Sequence, residues 1–129
     1  MLVSCGIAER EGKFLICRRP ACVPYAGYWE FPSGEVEGNE TLEDSLENAF
    51  FDRLTVKLRS HRPLGAFDSQ CEKNCRIFPF FAIFDEKKPA LTGYDCAKWV
   101  SFKKLRKFRL FPDSVTFIRK IEKFSKVSV

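Results

Sequence analysis

Long apolar runs are missing from this chain of 129 residues, so no segment reads as a membrane-spanning helix. Internal repeats and low-complexity linkers are missing too, and the length fits one domain over residues 1–129. Histidine occurs once; His61 follows a strand pattern and is assigned no function. Cysteines spaced as a zinc hook are absent. Cys71 and Cys75 are too far apart for one, no second ligand pair accompanies them, and the stretch reads as a turn between strands. No secretory signal precedes the first strand pattern at Leu2. All six cysteines are therefore expected to be reduced, in a cytoplasmic protein, with Cys5 and Cys17 buried as small hydrophobes.

Strong charge of one sign is lacking as well: the net charge is +5, mild enough only to favour anionic ligands such as nucleotides. Many cations come late, at Lys103, Lys104, Arg106, Lys107, Arg109, Arg119 and Lys120. They read as a solvated helix face and loop, because no recognisable nucleic-acid module accompanies them. What is abundant is phenylalanine, with 14 residues, and large rings fill a core without needing a special function.

The hydrophobic pattern alternates between strand and helix periods. Leu2 to Ala8 and Lys13 to Arg18 read as strands joined in a hairpin across Glu9 to Gly12. Trp29 to Phe31 is a short strand stopped by Pro32-Ser33-Gly34. Thr41 is placed to cap a helix with Asp44 as capping-box partner, and Leu42, Leu46, Ala49, Phe50 and Leu54 carry its apolar face. Further strands are expected at Val56 to His61, Leu64 to Asp68, Arg76 to Phe84 and Ala97 to Phe102. Pro79 should mark an edge or a bulge. A second helix is expected over residues 113–124, with Asp113 as its N-cap. The order predicts an α/β domain with a mixed sheet between helices.

The stretch from Gly34 to Val56 resembles the Nudix box, G-x5-E-x7-R-E-U-x-E-E-x-G-U, where U is a bulky aliphatic residue. Around it, EFPSGEVEGNET, ICRRP and KWVSF are similar to MutT-like members, so the resemblance covers most of the chain. It implies the Nudix fold, a mixed β-sheet sandwiched between α-helices. It also implies pyrophosphohydrolase chemistry on a nucleoside di- or triphosphate or a nucleoside-diphosphate derivative, with Mg2+ or Mn2+. Gly34 and Glu40 match the box; Asn48, Ala49, Asp52, Arg53 and Thr55 replace its Arg, Glu, Glu, Glu and Gly.

A helix puts positions 49, 52 and 53 on neighbouring parts of one face. The family's carboxylates there hold the divalent cation. Here one carboxylate remains and one guanidinium has arrived, so the resemblance leaves Glu40 and Asp52 as candidate catalytic groups. Asp52 and Ser33 are the candidate metal ligands, with a metal weakly held or not needed. Glu35, Glu37 and Asp95 are the acids that remain to replace lost ligands, or else are solvated surface groups. Asn48 cannot repeat the family's ion pair with Glu40.

Three uses of this frame follow. One is a weak hydrolase or one with a rebuilt metal site. Another is a non-catalytic nucleotide-binding module, with Arg18, Arg19, Gly34 and Arg53 on the phosphates. The third is an interaction scaffold using the basic, Phe-rich last third. Arg53 has a plainer alternative, its head in solvent or paired with a neighbouring acid. Phe80 and Asp113 are the candidate base contacts, with Phe78, Phe81 and Ser114 in the same regions.

Overall fold

The computed structural model describes the backbone of residues 1–127 and the side chains of residues 1–122. It has two sheets. In the first, β1 (Leu2–Ile7) lies parallel to β8 (Arg76–Ile83) and antiparallel to β5 (Ser33–Glu35). The other edge of β8 takes β6 (Ser60–Pro63) and β7 (Phe67–Asp68). In the second sheet, β3 (Lys13–Arg18) pairs on one side with β9 (Cys96–Ser101). Its other partners are β2 (Glu9–Arg10) and β4 (Trp29–Glu30). The helices are α1 (Leu42–Leu54), the short α2 (Phe102–Leu105) and α3 (Pro112–Val127).

Side-chain alternation divides the core in two. Leu15, Cys17, Phe80, Ala82 and Phe84 pack with Leu46, Phe50 and Leu54 of α1. Cys5, Ile7, Phe14, Ile16, Phe31 and Ile77 pack with Phe117, Ile118 and Ile121 of α3. Strands therefore lie between helices, as the sequence pattern predicts.

Several local expectations hold for identifiable reasons. Thr41 caps α1: its hydroxyl accepts from the Asp44 N–H at 3.0 Å, and the Asp44 carboxylate accepts from the Thr41 N–H at 3.1 Å. Cys5 and Cys17 are buried, and all six cysteines carry free thiols. Pro79 lies opposite a bulge. Pro63 pairs with Phe80 and Phe67 with Ile77, so Leu64, Gly65 and Ala66 face only Phe78 and Pro79. The ring thus sits where the neighbouring ladder is interrupted, although β8 is not an edge strand.

Other expectations are corrected. The predicted hairpin shrinks to β2 and the start of β3, around Glu11 and Gly12, both at positive φ. β1 leaves for the other sheet, where it pairs in parallel with β8. Ser33 and Gly34, read as part of a stop with Pro32, belong with Glu35 to a strand on β1. Asp113 is not the cap of the last helix; it lies in the first turn, and its carboxylate accepts from the Ser69 hydroxyl and the Gln70 N–H at 2.8 and 2.6 Å.

Gly6 joins β1 to α1. A Cβ at this position would drive into the Phe50 ring and lie 3.2 Å from Leu46 Cδ1. Gly6→Ala is expected to cost about 1–3 kcal/mol through overpacking, read as a lower urea midpoint at unchanged slope.

Candidate functional site

A cleft of about 580 Å3 opens on the α3 side of the strands. One wall comes from the β4–β5 segment, the end of α1 and the stretch leading into β9. The opposite wall comes from residues 69–75 and the start of α3. The folding of each wall is local. Pro32 lets the chain step from β4 in one sheet to β5 in the other, carrying Glu30, Ser33 and Gly34 past the opening. Gly34 lies against α1, where an added Cβ would stand 3.0 Å from that of Ala49.

Glu30 organises the inner wall. It is only 3% exposed, yet its carboxylate is fully engaged. Arg19 forms an ion pair with it. The Tyr94 hydroxyl donates to Oε2 at 2.8 Å and the Ser33 hydroxyl donates to the same oxygen at 3.1 Å. Arg19 also donates through Nε to the Pro24 carbonyl at 2.8 Å and lies 4.8 Å from the Phe111 ring centre. Such compensation is what a buried carboxylate requires. Burial pushes the Tyr94 phenol well above its ordinary range, with the Glu30 charge adding to it and Arg53 opposing. Tyr94 thus remains a protonated donor.

The proposed site residues separate into groups. Arg19, Ser33, Gly34, Glu35, Arg53, Asp95, Asp113 and Ser114 line the cleft. Arg18 lies at its margin, in an exposed 2.7 Å pair with Asp95, of a kind that contributes little stability. Glu40 and Asp52 do not line the cleft. Glu40 accepts from the Glu37 N–H at 2.8 Å and from the Asn48 amide at 2.6 Å. Asn48 thus links loop and helix by a hydrogen bond to Glu40, where it cannot form the ion pair. Asp52 is exposed on α1, and its backbone carbonyl accepts from the Thr92 hydroxyl. Phe80 is corrected outright as a base contact. Strand parity turns it toward α1 at 1% exposure, and Phe78 packs on the same side.

Two residues of the inner wall escaped the sequence reading. Glu30 had one signal, an acid between Trp29 and Phe31 in a short strand, where one face or the other must be enclosed. Tyr94 had none, because its place depends on a loop packed against the end of α1.

The helix face does not fit a divalent cation. Ala49 is apolar and buried beneath Gly34, Arg53 brings positive charge, and Asp52 stands outside. Among the described residues, no cluster of three or more His, Cys, Asp or Glu side chains is placed to hold a metal. The carboxylate that does lie in the cleft, Glu30, is already occupied by its own partners.

Fold and cleft together define a NUDIX domain. The pattern of that family matches residues 2–121, and the chain belongs to it. It is 38% identical over 55 residues to the CTP pyrophosphohydrolase of Escherichia coli, covering 43% of this chain and 41% of that protein. It is 40% identical over 40 residues to the 8-oxo-dGTP diphosphatase of Proteus vulgaris, covering 31% of this chain and 36% of that one. The matched stretches thus span about two fifths of these relatives. The crystal structure of a MutT NUDIX hydrolase from Burkholderia pseudomallei shares the fold, with a TM-score of 0.83 at 19% identity. That likeness covers 93% of this chain and 96% of that one. No helix among the described residues is long and apolar enough to cross a membrane.

The failure of the metal face is reversible in principle. The double change Ala49→Glu with Arg53→Glu is expected to raise Mn2+ affinity about tenfold or more, some 1.4 kcal/mol, measured by calorimetry against the unaltered protein. No gain would mean that this helix face is not where a cation lodges.

Proposed function

We propose that this NUDIX domain binds nucleoside di- or triphosphates, or related nucleoside-diphosphate derivatives, without needing a divalent ion. Pyrophosphohydrolase turnover is weak or absent. The observation that carries the reading is the exchange at the end of α1, where Arg53 stands in the cleft wall in place of a carboxylate. Its side chain makes one hydrogen bond among the described residues, at 3.5 Å to Tyr94. A guanidinium has five N–H donors, so most of the fork remains to meet phosphate oxygens.

Arg19 lies in the same wall paired with Glu30, and Arg18 beyond it paired with Asp95, and both are assigned as further N–H donors to the phosphates. Gly34 lines the same cleft and is assigned to the phosphates through its backbone. Asp113 and Ser114, on the opposite wall, are the groups assigned to the base. The nucleotides in the names of the two relatives support this ligand class. Against turnover stands the loss of two carboxylates from the box. Each metal ligand removed costs several kcal/mol of transition-state stabilisation, roughly a thousandfold in rate.

Calorimetry with a panel of nucleoside di- and triphosphates, in Mg2+ and again in EDTA, tests the reading. Binding should survive EDTA, and Arg53→Ala should weaken it about tenfold. Binding seen only with Mg2+ would favour a metal-dependent hydrolase. Binding in neither condition would favour an interaction domain.

A further inference from the structure

We infer that Gly93 and Tyr94 are positioning residues for Arg53, holding its guanidinium in the cleft wall as a fixed cation for a diphosphate group. The inference rests on the phosphate reading above and assigns a role to two residues outside the Nudix box.

Three features converge on Arg53. First, the segment before β9 is bolted to the end of α1. The N–H groups of Ala90 and Thr92 donate to the carbonyls of Leu54 and Arg53, both at 2.9 Å. The hydroxyls of Thr55 and Thr92 donate to the carbonyls of Ala90 and Asp52. The carbonyls that a helix end leaves unpaired are thereby satisfied, and the segment has one register against the helix.

Second, that register lays the Arg53 stem across Gly93. A Cβ on Gly93 would stand 2.7 Å from Arg53 Cγ and 3.1 Å from its Cβ, too close for both to keep their places. Glycine is thus required by the near end of the side chain, which cannot swing away as a flexible tip could.

Third, the next residue meets the head. The Arg53 guanidinium carbon lies 5.5 Å from the Tyr94 ring centre, and Nη1 donates to the Tyr94 hydroxyl at 3.5 Å. That hydroxyl is itself pinned, because it donates to the buried Glu30 carboxylate at 2.8 Å. A relay therefore runs from Arg53 through Tyr94 to Glu30, and on to Arg19 and Ser33. An arginine waving in solvent loses rotamer freedom when it grips a ligand. One already laid along a glycine and tethered to a fixed phenol loses less, so its affinity for phosphate is greater.

The test is binding of inorganic diphosphate in EDTA by calorimetry, in a thermodynamic cycle. Tyr94→Phe should weaken binding about fivefold, the scale of one hydrogen bond. In an Arg53→Ala background the same change should have no further effect. A purely structural loss would appear equally in both backgrounds and would overturn the inference. So would unchanged affinity in Tyr94→Phe while Arg53→Ala binds weakly; Arg53 would then position itself and the phosphate reading would stand. If Arg53→Ala also leaves affinity unchanged, the phosphate reading itself fails. Gly93→Ala should reproduce the Tyr94→Phe loss, and normal affinity in a folded Gly93→Ala protein would remove Gly93 from the role.

Discussion

Glu30 sits at 3% exposure at the end of β4, just before the chain crosses to the other sheet, where a lone carboxylate would be too costly to keep charged. Arg19 comes to it from the end of β3, Ser33 from the start of β5, and Tyr94 from the segment ahead of β9. Each partner belongs to a different piece of chain, so satisfying one charge draws three pieces into one wall. A buried pair of this kind adds little net stability over a well-packed apolar equivalent, but losing one partner is expensive. Its effect is therefore to specify the geometry of the cleft more than to hold the domain together, which the two apolar cores accomplish.

The same constraint bears on what the cleft can bind. The box positions of α1 have exchanged carboxylates for an alanine packed under Gly34 and an arginine laid over Gly93. These are not two independent losses on a bare surface. Ala49 fills the close contact with β5, while Arg53 joins the Glu30 relay through Tyr94. The end of α1 therefore presents a guanidinium where the box has a carboxylate, and under the proposed reading its chemistry moves from activating water with a metal toward holding an anion.

Much of this was legible beforehand because it depends on short-range rules. The capping box of α1, the alternation of strand residues and the place of Pro79 opposite an interrupted ladder each involve only neighbours in sequence or in one sheet. The degenerate box was legible for the same reason, since helix geometry fixes which of its positions are neighbours. Phe80 was misplaced because an aromatic strand offers two faces, and only its register in the sheet decides between core and cleft. Asp113 was misread because a first-turn acid suits a cap equally well, until the loop at Ser69 and Gln70 supplies its donors.

The sequence by itself thus determined the family frame, the layered α/β architecture and the absence of a three-carboxylate face on α1. The family frame follows from the resemblance of Gly34 to Val56 and its flanking motifs to the Nudix pattern, the architecture from periodicity and capping chemistry, and the altered face from the identity of residues one helical turn apart. Tertiary structure alone decided that Glu30 is the buried centre of the wall, that Asn48 still tethers Glu40, and that Arg53 lies along Gly93 toward Tyr94. The partners of Glu30 include one 64 residues away, and Tyr94 stands 41 residues from Arg53. No local pattern encodes such contacts, because they exist only once both sheets and the end of α1 have met.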